Sequence, residues 1–233
     1  MRLTVLLAGT NDPSNSALLT EAFVAGVKQC EPAASITTLR LSDLDLPHFT
    51  LQSYDAAHEH APDVRRLHDA VRDCDGLVIA SPVWNFSVPA HLKNALDHLG
   101  SVCLDAATHS KGQLADRPCA FLFTGGAPSI AWKALLNITT LHVSEALKYY
   151  GGAVTLRHFE PRCLPGRGKF GLVLDKRDDL GARLGAKGQV FARIVAAHAR
   201  DGRLPPLVSL RRTVATWAYR IGNRLMYPVS SVQ

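Results

Sequence analysis

The 233 residues are enough for one large domain with its own core. Apolar residues make up 47% and charged residues 20%, which excludes a wholly disordered chain. The net charge of +6 sits almost entirely in the tail, where Arg200, Arg203, Arg211, Arg212, Arg220 and Arg224 face Asp201 alone, so the basic balance gives no ground for nucleic-acid recognition.

No apolar run approaches the roughly 20 residues of a membrane span. The apolar start, MRLTVLLAGT, reads as a first strand rather than a leader. Cysteines at 30, 74, 103, 119 and 163 are odd in number and contain no CxxC pair, so a reduced, cytoplasmic setting is expected.

Strand and helix signals alternate along the chain. Leu3 to Ala8 is a short apolar run of the kind buried on both faces of a parallel sheet, and it stops at Gly9. Residues 15–30 carry apolar side chains at helical spacing. Ser35 to Leu41 is rich in β-formers. Pro62 to Arg72 places Val64, Leu67, His68 and Val71 on one helical face. Gly76 to Ala80 is a second buried strand. Val88 to Leu99 reads as a helix with Pro89 in its first turn, where a missing N–H costs nothing. Cys119 to Phe123 is a further strand. Ile130 to Tyr150 reads as one long helix stopped by Gly151-Gly152, Ala153 to Phe159 as a last strand, and Arg177 to Ala199 as a last helix. Strands separated by helices imply right-handed crossovers and a doubly wound five-stranded parallel sheet, flavodoxin-like, of order 2-1-3-4-5. Residues 1–200 complete that domain, which leaves 201–233 as a C-terminal extension.

In such a sheet ligands bind beyond the carboxyl ends of the strands at the switch point. Three loops meet there. In GTNDPSNSALL, Thr10, Ser14, Asn15 and Ser16 stand at a helix start, where they serve either as a phosphate seat or as an ordinary cap. In SPVWNFSVP, Trp84 and Phe86 are either ring covers or core aromatics, with the amide of Asn85 between them. In TGGAPS, paired glycines let backbone approach a ligand. There is no GxGxxG and no GxxxxGK[ST].

The second loop carries a specific resemblance. Pro82, Trp84, Asn85, Ser87, Pro89, Leu92, Lys93, Asn94 and Asp97 stand in register with the Pro-x-Tyr-Asn-x-Ser-x-Pro-x-x-Leu-Lys-Asn-x-x-Asp signature of the NADPH-dependent FMN reductase and quinone reductase superfamily. SKGQLADRPCAFLFTGGAPS and LSDLDLPHF also resemble segments of its azoreductase branch. The resemblance covers roughly residues 1–200. It implies an FMN phosphate held by Thr10, Ser14, Asn15 and Ser16. It implies an isoalloxazine ring between Pro82, Val83, Trp84, Asn85 and Phe86 on one side and Thr124, Gly125 and Gly126 on the other. It also implies electrons from NADPH or NADH, delivered to a small-molecule acceptor such as a quinone, an azo or nitro compound, or free flavin, and a homodimer. A pathway-specific flavin enzyme and a non-catalytic flavin carrier stay open as rivals. Two departures stand out: Asp12 lies where the family often has a basic residue, and Trp84 replaces the usual Tyr.

Hydride transfer to a flavin needs no side-chain acid or base, so no catalytic side chain is singled out. His58 and His60 lack further ligands nearby and read as a solvated loop rather than a metal site. The basic, glycine-rich segment 161–171 reads as a surface excursion, with covering the pocket as the alternative. In the tail, Leu210, Val214, Trp217, Ala218, Ile221 and Leu225 recur at spacings of three and four, so 208–226 can form an amphipathic helix. It is expected to pack on its own domain or a dimer partner; an anionic membrane surface is the sharper alternative.

Overall fold

A computed structural model describes residues 1–55, 61–164 and 172–210. Its five parallel strands are β1 (Arg2–Leu7), β2 (Ser35–Arg40), β3 (Gly76–Pro82), β4 (Pro118–Thr124) and β5 (Ala153–Glu160), in the order β2-β1-β3-β4-β5. Six complete α-helices among the described residues accompany them: α1 (Asn15–Cys30), α2 (Pro62–Arg72), α3 (Ala90–Cys103), α4 (Ser129–Ala134), α5 (Leu141–Tyr149) and α6 (Leu180–Asp201). The flavodoxin-like order is the one expected. The paired segments Leu3–Leu7, Leu77–Ala80 and Cys119–Phe123 form the buried centre of the sheet.

Because side chains alternate across a strand, the sheet serves two cores. Leu6, Ile79, Phe121 and Phe123 point to the layer of Leu92, Leu96 and Leu99 from α3 and Leu147 from α5. Val5, Leu7, Val78 and Leu122 point to Phe23 of α1 and Phe191 and Val195 of α6. The α1–α6 contact is close. A Cβ on Gly26 would lie 2.0 Å from the Gly185 carbonyl oxygen, and one on Gly188 would lie 2.0 Å from that of Phe23.

Three boundaries differ from expectation. The stretch 130–150 is not one helix. α4 ends at Ala134, Leu135 leaves the helical region (φ −138°, ψ −50°), and a 3-10 turn over Leu136–Thr140 precedes α5. Here hydroxyls compete with the helix, since Thr139 Oγ1 donates to the Leu136 carbonyl at 2.7 Å and Thr140 Oγ1 to that of Asn137 at 3.3 Å. The break also lets Arg157 Nη2 donate to Thr140 Oγ1 at 2.8 Å. Pro89 is the N-cap of α3 rather than part of its first turn. α6 is closed by Gly202 in the left-handed region (φ 64°), ahead of Pro205-Pro206. Leu210 is 60% exposed, and the rest of the expected tail helix lies outside the described residues, as do His58 and His60. No helix among the described residues is long and apolar enough to cross a membrane.

Candidate functional site: a three-loop cleft

The carboxyl ends of β1, β3 and β4 open on a cleft of about 110 Å³. Ten of the twelve expected contact residues line it: Thr10, Ser14, Asn15 and Ser16 from the first loop, Pro82, Val83 and Trp84 from the second, and Thr124, Gly125 and Gly126 from the third. Asn85 and Phe86 stand beside it, in the turn that follows Trp84.

The first loop is a hydroxyl-lined helix start. Ser14 caps α1 by accepting from the Ala17 N–H at 3.0 Å. Ser16 Oγ lies 3.5 Å from Thr124 Oγ1, which joins the first and third loops. Gly9 lets β1 pass close to these hydroxyls, since a Cβ there would fall 2.9 Å from Ser14 Oγ and 3.2 Å from Ser16 Cβ. Asn15 has a second duty: its side-chain oxygen accepts from the N–H groups of Val173 and Leu174 at 2.8 and 3.2 Å, which ties the approach to α6 onto the start of α1. Asp12 does not line the cleft. It is 86% exposed and faces Arg40 at 3.7 Å, so the acid in the loop is turned away from the helix start.

The second loop is a tight reversal. The Trp84 N–H donates to the Ser87 carbonyl and the Ser87 N–H to that of Trp84, both at 2.8 Å, with Asn85 at φ 48° and Phe86 at φ 63°. Two positive φ values between such a bonded pair are the mark of a type I′ turn, which Asn tolerates and a bulky aromatic disfavours. The turn holds Phe86 72% and Trp84 41% exposed, so neither is a core aromatic. Sequence reasoning passed over His91, whose Nε2 meets the Ala8 carbonyl at 2.9 Å and whose ring lies 6.5 Å from that of Trp84. It braces the exit of β1 against the aromatic of the second loop.

Several signature residues serve the scaffold instead. Asn94 accepts from the Phe49 N–H and donates to the carbonyls of Leu46 and Pro47. Lys93 pairs with Asp97 at 2.6 Å, and Leu92 is core. His98 is buried, with Nε2 against the Pro47 carbonyl at 2.8 Å.

The third loop is locked on both sides. Val83 N–H donates to the Thr124 carbonyl at 2.7 Å, Gly125 N–H to that of Glu160 at 3.1 Å, and Cys163 N–H to that of Gly125 at 2.9 Å. Cys163 and Leu164 thereby complete the cleft wall, and Leu164 lies against Gly126, where a Cβ would meet it at 2.3 Å. The start of the segment read as a surface excursion is therefore part of the site; 165–171 lie outside the described residues. Burial pushes the Cys163 thiol up to about 11 and that of Cys103 to about 12, so neither is a nucleophile at neutral pH.

Glu160 anchors this wall. Its carboxylate is 1% exposed and meets Arg177, Arg183 at 3.0 Å and His158 Nε2 at 2.9 Å. Arg177 also donates to the carbonyls of Pro161 and Arg162. Burial raises the Glu160 pKa, but the hydrogen bond from His158 and the charge of Arg183 outweigh it and bring it from 4.5 to about 2. A depressed carboxylate stabilises the fold above its unfolded pKa, and that contribution is lost as pH falls from about 4.5 through about 2. Urea unfolding between pH 5 and pH 2.5, all on the order of the range that linkage sets, is therefore expected to show a steeper acid loss in the parent than in Glu160→Gln. Parallel profiles would refute this account of Glu160.

A flavodoxin-like sheet with a hydroxyl-rich helix start, an aromatic turn and a close-backed third loop at its switch point defines a mononucleotide-binding α/β protein. The family model described as NADPH-dependent FMN reductase matches residues 1–156, and the chain belongs to that family. It is 28% identical over 155 residues to FMN-dependent NADH:quinone oxidoreductase 1 of Listeria monocytogenes serotype 4b (strain F2365), covering 59% of this chain and 74% of that one. It is 29% identical over 126 residues to NADPH:quinone oxidoreductase of Arabidopsis thaliana, covering 54% and 59%. Among solved structures, azoreductase AzrA matches with a TM-score of 0.57 at 16% identity over 84% of this chain and 99% of that one. An FMN-dependent NADH-azoreductase from Bacillus anthracis in complex with FMN matches with a TM-score of 0.61 at 14% identity, over 83% and 98%. At these identities the structural matches establish the fold alone.

Proposed function

We propose that the protein is an FMN-dependent oxidoreductase that takes electrons from NADPH or NADH and passes them to a small-molecule acceptor of the quinone type. The observation that carries this reading is the convergence of three chemically distinct loops on one cleft. The donor set fits FMN. Hydroxyls and helix N–H groups suit a phosphate, no acid lines the cleft, and an exposed aromatic turn suits a flat ring. FMN supplies the two-electron chemistry when bound, and the chain supplies the seat.

Thr10, Ser14 and Ser16 bind the phosphate at the start of α1. The backbone of Val83 and Gly125, bonded to neighbouring strand ends, sets the width of the ring slot. The type I′ turn presents the N–H groups of Asn85 and Phe86 toward solvent-facing ligand edges, where backbone donors favour developing negative charge on a reduced ring. Trp84, braced by His91, covers the ring. A homodimer is the expected assembly, and exposed Ile130, Leu135 and Ile138 offer an apolar face for it. Residues 1–200 are the flavin domain in this reading, 201–233 an appendage, and the setting cytoplasmic.

The purified protein is expected to be yellow or to take up one FMN per chain with quenched flavin fluorescence. Anaerobic NADPH or NADH should bleach it, and a quinone should restore the colour. A protein that stays colourless with added FMN overturns the reading.

A further inference from the structure

Another cavity lies outside the three-loop cleft and is larger than it. It occupies about 530 Å³ along the outer edge of β5, between α4 and the first turns of α6. That volume falls within the roughly 300–1,000 Å³ typical of small-molecule sites. None of its lining residues lines the three-loop cleft.

Its chemistry has two parts. One wall is aromatic: Trp132 and Phe159 stack at 4.0 Å with rings 5° from parallel, and Phe123 lies 6.0 Å from Trp132. The other is cationic, with Lys133, Arg157, Arg183 and Lys187, and no Asp or Glu lines the cavity. Arg183 is already neutralised by Glu160. The other three form no direct ion pair among the described residues, although Glu160 acts on Lys187 and Glu145 on Arg157 at longer range. Lys133 is exposed on α4. Lys187 Nζ lies 2.7 Å from His158 Nδ1. Arg157 donates through Nη2 to Thr140, its guanidinium lies 5.7 Å from the Phe123 ring centre, and its Nε is buried with no hydrogen-bond partner. Burial lowers the pKa of both Arg157 and Lys187. Half-buried cations with no directly paired carboxylate are costly, and a buried guanidinium N–H left unpaired is costly again. An anion in the cavity offsets the charge cost.

We propose that this groove is a second ligand site that takes an aromatic anion, with a flat apolar body against Trp132 and Phe159 and a carboxylate or sulfonate among Lys133, Arg157 and Lys187. The aromatic wall separates this ligand class from inorganic anions, and the cations separate it from neutral arenes. The site shares no residue with the proposed flavin seat, so it stands or falls independently of that reading.

The test uses the full chain, with FMN at saturation and again without it, and 2-naphthoate as probe, followed by calorimetric titration. The parent is expected to bind 2-naphthoate in both states and to bind the neutral 2-naphthalenemethanol at least about tenfold more weakly, the weight of one charge-assisted hydrogen bond. Lys133→Glu, on an exposed face, should lose about tenfold or more by placing a like charge at the mouth. Lys187→Gln keeps a hydrogen-bonding group for His158 and should also weaken binding. No binding by the parent, equal binding of the acid and the alcohol, or unchanged affinity in both variants would overturn the proposal. A protein that fails to take up FMN yet binds 2-naphthoate through Lys133 removes the flavin reading and leaves the groove intact.

Discussion

Gly188→Ala is expected to be among the most damaging single methyl additions in the domain. The new Cβ would lie 2.0 Å from the Phe23 carbonyl oxygen and 3.0 Å from the Val27 nitrogen, both backbone atoms of α1 that no rotamer change can move. Relief requires α1 and α6 to separate, which opens the core around Phe23 and Phe191. Overpacking costs typically 1–3 kcal/mol and occasionally more, and about 3 kcal/mol lowers Tm by roughly 6–12 °C at this size. Gly26→Ala should behave alike, with its Cβ at 2.0 Å from the Gly185 carbonyl oxygen. Gly185→Ala is the control: its Cβ would meet nothing nearer than 3.9 Å. It should be neutral or gain about 0.5–1 kcal/mol from helix propensity. Thermal melts of the three variants decide the matter. Equal damage from Gly185→Ala and Gly188→Ala, or none from either Gly26→Ala or Gly188→Ala, would show that the helices do not cross at these glycines.

The second large effect is on the ligand. Thr10→Asp puts a carboxylate at an exposed position lining the cleft beside the start of α1. Two unit charges about 4 Å apart near a protein surface repel by about 4 kcal/mol at an effective dielectric of ~20. Allowing for screening, FMN affinity is expected to fall by about 10²–10³-fold. Riboflavin, which lacks the phosphate, should bind parent and variant alike. Fluorescence titration with both ligands therefore reports the phosphate seat separately from the ring slot. An equal loss for riboflavin would move the defect from charge to shape, and unchanged FMN affinity would move the phosphate elsewhere.

The parts of the site differ in how far they could be read from the chain. The phosphate and glycine loops follow strand exits, and buried parallel strands announce themselves as apolar runs ending in Gly or Ser-Pro. Hence Thr10, Ser14 and Ser16 and Thr124 to Gly126 were legible as neighbours once the sheet order was inferred. The role of Asn94 was not, because a signature records which residues recur and not whether they touch a ligand or hold Leu46 to Phe49 in place. His91 was invisible for a similar reason: its partner Ala8 is 83 residues away. The break at Leu135 was hidden by an apolar pattern that suits a helix throughout, while the competing hydroxyls of Thr139 and Thr140 act only over one turn.

By itself the sequence determined the alternation of strands and helices, the parallel sheet and its order, and the three loops at the switch point, because these follow from the periodicity of burial and from local turn chemistry. Only the tertiary structure decided that Asp12 faces Arg40 rather than the cleft, that Cys163 and Leu164 wall the third loop, that Gly26 and Gly188 carry a backbone-to-backbone crossing, and that Lys133, Arg157 and Lys187 gather around an aromatic floor. Each of these is a distance between residues far apart in the chain. Such distances are set by how whole elements pack, which no local pattern encodes.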